Sequence, residues 1–122
     1  RAPRTLQACL RANELRRAQG LPILVLDPQL LKASWKHANQ MYIDKFFSHN
    51  SPNGKTPFDR MKDEGVTYTR AGENIAKGTQ TAQDTFSNWM NSPEHRANLT
   101  HADFKYHGIA YYKLHWVHDF SD

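Results

Sequence analysis

Three side chains stand where they could do chemistry, each in a stretch stiffened by glycine or proline. His49 opens the turn-forming run His49-Asn50-Ser51-Pro52-Asn53-Gly54, Glu73 follows Gly72, and His95 follows Ser92-Pro93. Imidazole and carboxylate together are the ligand set of zinc and related divalent cations. The three lie far apart in sequence and match no local motif such as a helical pair of histidines four apart, so a shared site has to be made by the fold. If Ser92 caps a helix, His95 falls in its first turn. The positive end of the helix dipole there disfavours imidazolium and keeps the ring neutral, which is its metal-binding form. The same trio also suits a hydrogen-bonded network that pins loops to a sheet, with Glu73 bonding nearby backbone amides. Glu94, in the same first turn, reads as a surface residue that complements the dipole. Ser48 and Ser92 stand beside histidines as a nucleophile would, but Ser92 suits a helix cap better. His37 lies near an apolar helical stripe and is expected to be buried and bonded to a neighbour. His101, His107, His115 and His118 have no partner at ligand spacing, and most of them are expected to face solvent. No phosphate-cradling glycine loop or paired-cysteine motif occurs.

Positioning these groups requires a frame, and its helices announce themselves by their ends. Leu6, Cys9, Leu10 and Asn13 recur at helical spacing between Thr5 and Gln19, and Gly20 stands where a left-handed cap falls. Asp27-Pro28 predicts a second helix running to about Phe46, with Leu31, Trp35, Ala38, Met41 and Tyr42 as its apolar stripe. Thr56-Pro57-Phe58-Asp59 reads as a capping box for a short helix that stops at Gly65. Thr81-Ala82-Gln83-Asp84 repeats the device ahead of Phe86, Trp89 and Met90, and Ser92-Pro93 opens another turn of helix. Tyr106 to Tyr112 and His115 to Phe120, rich in aromatic and branched residues, predict two strands with Lys113 and Leu114 at their turn. Gly72 to Ala76 adds a third. Helices before and between a few antiparallel strands make a layered α+β domain.

Composition bounds the rest. The 122 residues, 39% hydrophobic and 23% charged, fit one globular domain, taken as 1–122, with a buried core. The net charge of +4 is carried by five arginines in the first seventeen residues, opposed only by Glu14; the remainder is balanced. No basic face is distributed for phosphate contacts, so nucleic acid is not an expected partner. The longest apolar run, Leu21 to Leu26, is interrupted by Pro22 and far short of the roughly 20 residues that cross a bilayer. No hydrophobic stretch opens the chain at Arg1, so any secretion signal is expected to have been removed or never to have existed. The single cysteine, Cys9, cannot close an internal disulfide.

Taken in order, Gly20-Leu21 with Leu24 and Asp27, His37-Ala38 with Met41, Phe47-Ser48-His49, Pro57-Phe58-Asp59-Arg60, Gly72-Glu73-Asn74-Ile75-Ala76, Trp89 with Ser92-Pro93, His95-Arg96-Ala97-Asn98-Leu99, and Trp116-Val117 with Phe120 resemble a bacterial CAP-superfamily domain. That superfamily groups cysteine-rich secretory proteins, venom antigens and plant pathogenesis-related proteins. The resemblance implies an α-β-α sandwich, a small antiparallel sheet between helical layers, with a cleft holding two histidines and one or two glutamates. Carried over by motif, these are His49, His95 and Glu73. The second glutamate of eukaryotic members is missing, because Met90, Asn91 and Ser92 follow Trp89, and Glu94 is offered as its substitute. The resemblance further implies an extracellular or cell-envelope location. The expectation is a binding module that holds zinc or another divalent cation weakly, with Glu73 orienting a water or ligand. The alternatives are a metal-assisted, peptidase-like hydrolase with Glu73 as candidate general base, and a protein for sterols or fatty acids, so that a small apolar ligand or a peptide is an expected partner.

Overall fold

The computed structural model describes residues 3–122; Arg1 of the basic amino-terminal cluster lies outside them. Five helices and four strands follow in the order α1 (Arg4–Ala18), β1 (Val25–Leu26), α2 (Pro28–Ile43), α3 (Pro57–Asp63), β2 (Ala71–Lys77), α4 (Ala82–Met90), α5 (Pro93–Leu99), β3 (Tyr106–Tyr112) and β4 (His115–Ser121). The helix ends obey the local signals. Gly20, just past α1, takes the left-handed conformation at φ +72°. The Asp27 carboxylate accepts from the Leu30 amide at 2.9 Å to start α2. Thr56 and Asp59 satisfy each other's backbone amides in a full capping box. Thr81 accepts from the Asp84 amide at 3.1 Å ahead of α4. Two expectations are corrected. Ser92 sits at the cap position of α5 but its side chain makes no capping bond, so that start rests on the preset backbone of Pro93. α2 ends at Ile43, short of Phe46, because Lys45 turns into the left-handed region at φ +55°.

The four strands form one sheet in the order β1-β3-β4-β2. β2 and β3 flank β4 antiparallel, whereas β1 joins β3 in parallel, so the sheet is mixed. β1 left no trace in the sequence because a two-residue strand has no period. Lys113 and Leu114 close the β3–β4 hairpin with positive φ of 44° and 70°, the backbone of a two-residue turn made without asparagine or glycine.

Helices cover both faces. α2 lies over β3 and β4 on one side, where a Cβ on Gly108 would stand 2.2 Å from the Leu31 backbone nitrogen. So close an approach admits small side chains beneath the helix. The buried face of α2 is therefore Leu30, Ala33, Ser34, His37, Ala38 and Met41, while Leu31, Trp35 and Tyr42 of the expected stripe stay largely exposed. α1 behaves alike, with Ala8, Cys9, Ala12 and Arg16 inside and Leu6 and Leu10 outside. On this second side Trp89, Leu99, Phe104, Ile109, Trp116 and Phe120 make the main core. Arg16 is fully buried and donates to the carbonyls of Pro22, Leu99, His101 and Phe104, tying the α1–β1 connection, the end of α5 and the α5–β3 connection together.

The expectation of solvent-facing histidines fails for three of the four. His107 and His118 have no exposed surface, lie on adjacent strands, and bond ring to ring, Nδ1 to Nε2, at 2.9 Å; His115 is also buried. A sheet covered on both faces buries positions of both parities along its inner strands, as at 107–110 of β3 and throughout β4, so alternation gives no polar side to occupy. Burial, and then the charge of Arg16, push His107 down to about 4; burial, and then the charge of His107, hold His118 well below its ordinary value. Both rings therefore bind protons less readily in the native state than unfolded, and stability falls as pH drops from 6.5 toward 4. For His107 the loss is worth roughly 3 kcal/mol when complete. Urea unfolding between pH 7 and pH 4.5 should show this decline, with a shallower slope in His118→Leu; equal slopes would refute the assignment.

Candidate functional site

β2 is an edge strand, and its residues alternate between the two helical layers. Gly72 and Asn74 face α5: Asn98 donates to the Glu73 carbonyl at 3.2 Å and to Asn74 Oδ1 at 2.9 Å. Asn74 in turn donates to the His95 carbonyl at 3.0 Å, which fixes α5 against the strand. A Cβ on Gly72 would lie 2.6 Å from Asn98 Oδ1, so only glycine leaves room for this amide ladder.

Glu73 faces the other way, into the layer of α2 and α3. Only 1% of its side chain is exposed. Arg60, one turn into α3, forks onto it, Nη1 to Oε2 at 3.0 Å and Nη2 to Oε1 at 3.1 Å. His49 Nδ1–H donates to Oε1 at 3.0 Å. Asp119, paired with Glu73 across β2 and β4, approaches the same carboxylate. Two buried carboxyl groups so close disfavour a second charge. Burial, then the charge of Glu73, raise Asp119 well above the ordinary range, which favours its neutral form; Ser34 Oγ stands 2.9 Å from its Oδ2, and its Oδ1 has no hydrogen-bond partner. Burial alone would raise Glu73 too, but hydrogen bonds from His49 and Arg60 and the guanidinium charge outweigh it and bring it down to about 2.

The His49 loop is tethered from behind. His37 Nε2–H donates to the Ser48 carbonyl at 2.8 Å, and Arg60 Nη2 donates to the His49 carbonyl. His37 is thus the buried, bonded histidine expected; burial, and then the charge of Arg60, lower its proton affinity. The His49 side chain is 47% exposed and lines a cleft of about 410 Å³ with Phe58, Gly72, Glu73 and Asn98.

Of the sequence-predicted residues, then, His49 and Glu73 are in contact. His95 is half-buried on the α5 side, beyond the lining of that cleft; burial lowers its proton affinity, as does the nearby His49, against a smaller pull from Glu94. Glu94 is exposed and acts on His95 by charge alone. Among the described residues, no three of the His, Cys, Asp and Glu side chains are arranged to hold a metal ion. Neither His49 Nε2 nor the His95 ring has a protein hydrogen-bond partner among them, whereas both oxygens of Glu73 are engaged. The donor set offers one part-exposed imidazole, His49, with a carboxylate behind it, and a second, half-buried one, His95, outside the cleft. Arg60 and Asp119 were missed from sequence. Their signals were an arginine on the apolar side of a short helix, beside buried Pro57 and Met61, and an acid amid the apolar Trp116–Phe120 segment.

Known proteins share this chain's pattern and fold. A family model described as the cysteine-rich secretory protein (CAP) family matches residues 11–116. The Bacillus subtilis protein YkwD is 40% identical over 99 residues, which are 81% of this chain and 38% of YkwD. An extracellular protein of Bacillus anthracis containing an SCP domain superposes with a TM-score of 0.93 at 30% identity, over 97% of this chain and 40% of that one. An outer surface protein of Borrelia burgdorferi shares the fold at a TM-score of 0.85 and 24% identity, over 93% of this chain and 88% of that one. The chain thus spans well under half the length of YkwD and of the B. anthracis protein.

Removing one partner of a buried ion pair leaves the other uncompensated. Glu73→Gln should therefore lower unfolding free energy at pH 7 by about 3 kcal/mol in metal-free buffer. Urea titration measures it, and an unchanged midpoint would show that the Arg60–Glu73 pair is not what holds this region.

Proposed function

Because this chain belongs to the cysteine-rich secretory protein (CAP) family, and relatives that share its fold are extracellular or outer-surface proteins, we propose that it is an extracellular binding module that takes a divalent cation loosely at the edge of β2. His49 Nε2 and His95 are the donors. Glu73 is the carboxylate behind His49: it accepts the Nδ1 proton, fixes the tautomer, and leaves Nε2 free to face the cleft. The observation that carries this reading is the 3.0 Å contact between His49 Nδ1 and Glu73 Oε1. With two imidazoles as its protein ligands, a bound zinc ion keeps open positions for water or a ligand group. Such a site exchanges its ion, and its affinity falls as acid protonates the rings.

The hydrolase alternative asks Glu73 to accept a proton in the cleft. Its oxygens turn instead to Arg60 and His49, and its proton affinity is depressed, so its present geometry suits orientation better than base catalysis. Calorimetry with zinc at neutral pH should give weak saturable heats for the wild type. His49→Ala or His95→Ala should abolish them, and Glu73→Gln should weaken binding by about tenfold or more. Heats equal in all four proteins would eliminate the site.

A second reading, apolar-ligand binding, is favoured by one observation. A groove of about 560 Å³ at the carboxyl end of α2 is lined by Met41, Tyr42, Ile43 and Leu114. Lys45, Lys77 and Lys113 rim it without an ion-pair partner among the described residues, which suits an alkyl chain with an acidic head. Native mass spectrometry with decanoate should show a one-to-one adduct, lost in Lys77→Glu/Lys113→Glu; an adduct equally abundant in that variant would exclude the groove.

A further inference from the structure

One end of the molecule carries exposed apolar bulk and unpaired charge together. α2, β2 and the β3–β4 hairpin all end or turn there, and Tyr42, Ile43 and Leu114 meet beside the groove of about 560 Å³. Ile43, 66% exposed, is the most exposed large apolar side chain among the described residues; Tyr42 is 42% and Leu114 36% exposed. Single apolar residues outside are ordinary, but a cluster of them marks a contact surface. Lys45, Lys77 and Lys113 rim this cluster, and none has an ion-pair partner among the described residues. Lys32, Lys36 and Lys55, by contrast, pair with Glu64 or Asp63. Asp44, exposed between Ile43 and Lys45 in sequence, does not line the groove.

Backbone strain gathers at the same end. Among the described residues, the non-glycine positions with left-handed backbone are Lys45 at φ +55°, Lys113 at +44° and Leu114 at +70°, and all of them line this groove. Asparagine or glycine would take such a turn at less cost, so the hairpin tip is held in this form by its surroundings rather than by its own preference. The result is an ammonium group beside an isobutyl group at the tip. Lys113 Nζ stands 5.1 Å from the centre of the Tyr42 ring and 5.7 Å from that of Tyr112, which draws the charge in over the aromatic edge of the patch. Positions held against their local preference cluster at functional sites.

We propose that this end docks on the surface of an anionic lipid bilayer, with Tyr42, Ile43 and Leu114 entering the headgroup boundary and Lys45, Lys77 and Lys113 binding lipid phosphates around them. The occupant follows from the pattern. Charge of one sign around an apolar centre suits a membrane interface, where apolar groups reach the acyl boundary and long lysine stems keep their ammonium groups at phosphate level. A single acidic amphiphile brings one charge, whereas lysines spread around a rim call for several anionic groups at once, and a bilayer surface supplies them. No helix among the described residues is long and apolar enough to cross a membrane, so the contact is peripheral. The proposal shares its residues with the apolar-ligand reading of the groove but goes beyond it, because the alkyl chains stay in the bilayer.

The probes are vesicles of phosphatidylcholine alone and of phosphatidylcholine with about 30% phosphatidylglycerol, sedimented with the protein. The protein should follow the anionic vesicles at about 0.1 M salt, leave them at about 0.5 M salt, and ignore the neutral ones. Lys77→Glu/Lys113→Glu should weaken binding by about tenfold or more. Ile43→Ser/Leu114→Ser should weaken it by about tenfold and keep its salt dependence. Arg11→Glu/Arg17→Glu makes the same change of net charge at exposed positions of α1 and should leave binding within about threefold of the wild type. Melting curves verify that each variant is folded. Absence of co-sedimentation, equal binding to both vesicle types, equal losses from the arginine and lysine variants, or binding unmoved by Ile43→Ser/Leu114→Ser would overturn the proposal. A decanoate adduct without vesicle binding would overturn it and leave the groove reading standing; vesicle binding without an adduct would support it and remove that reading.

Discussion

Glu73 keeps its charge inside the protein, and the arrangement of one whole side of the molecule follows from the need to compensate it. Its carboxylate takes two bonds from Arg60 and one from His49, with a neutral Asp119 beside it. A buried pair of this kind is weak evidence for net stability, since desolvation offsets most of the attraction, but it is strong in geometry because the fork admits one arrangement. That arrangement fixes where α3 sits against β2, which way the His49 ring turns, and where the following loop runs.

The second constraint is close approach. At Gly108 the α2 backbone rests on the sheet, and at Gly72 the Asn98 amide does. Both contacts are made by glycines whose φ any residue could adopt; what excludes a side chain is space. Because Gly72, Glu73 and Asn74 are consecutive on an edge strand, the two helical layers are joined through one short segment. His49 is placed from one layer and His95 from the other. Their imidazoles come near enough for mutual electrostatic repulsion, but they do not share the cleft that Glu73 lines.

Much of the frame was legible because it is written in short-range chemistry. Asp27-Pro28, the reciprocal pair of Thr56 and Asp59, and Gly20 act within a turn of their own residue, so they work the same way in any fold. What misled was the choice of buried face. Large apolar residues such as Leu31, Trp35, Leu6 and Leu10 suggested the inner stripes, yet the packing distance selected Ala33, Ser34, Ala8 and Ala12 instead. The pair His107–His118, expected to face solvent, and Arg16 are inside although polar. A polar group can be buried when its partners arrive from remote segments, and single-chain patterning does not reveal those partners.

The order of residues by itself determined the class of the domain, the places where helices begin, the β3–β4 hairpin, and the candidacy of His49, Glu73 and His95. Local backbone preferences and side-chain chemistry suffice for each of these. Only the tertiary structure decided that Glu73 points inward to Arg60 and lies opposite Asp119, that β1 adds a parallel strand, and that Arg60 fronts a second polar cavity. These depend on which residues become neighbours across 13 to 85 positions of chain, and register, packing distance and charge compensation settle that jointly.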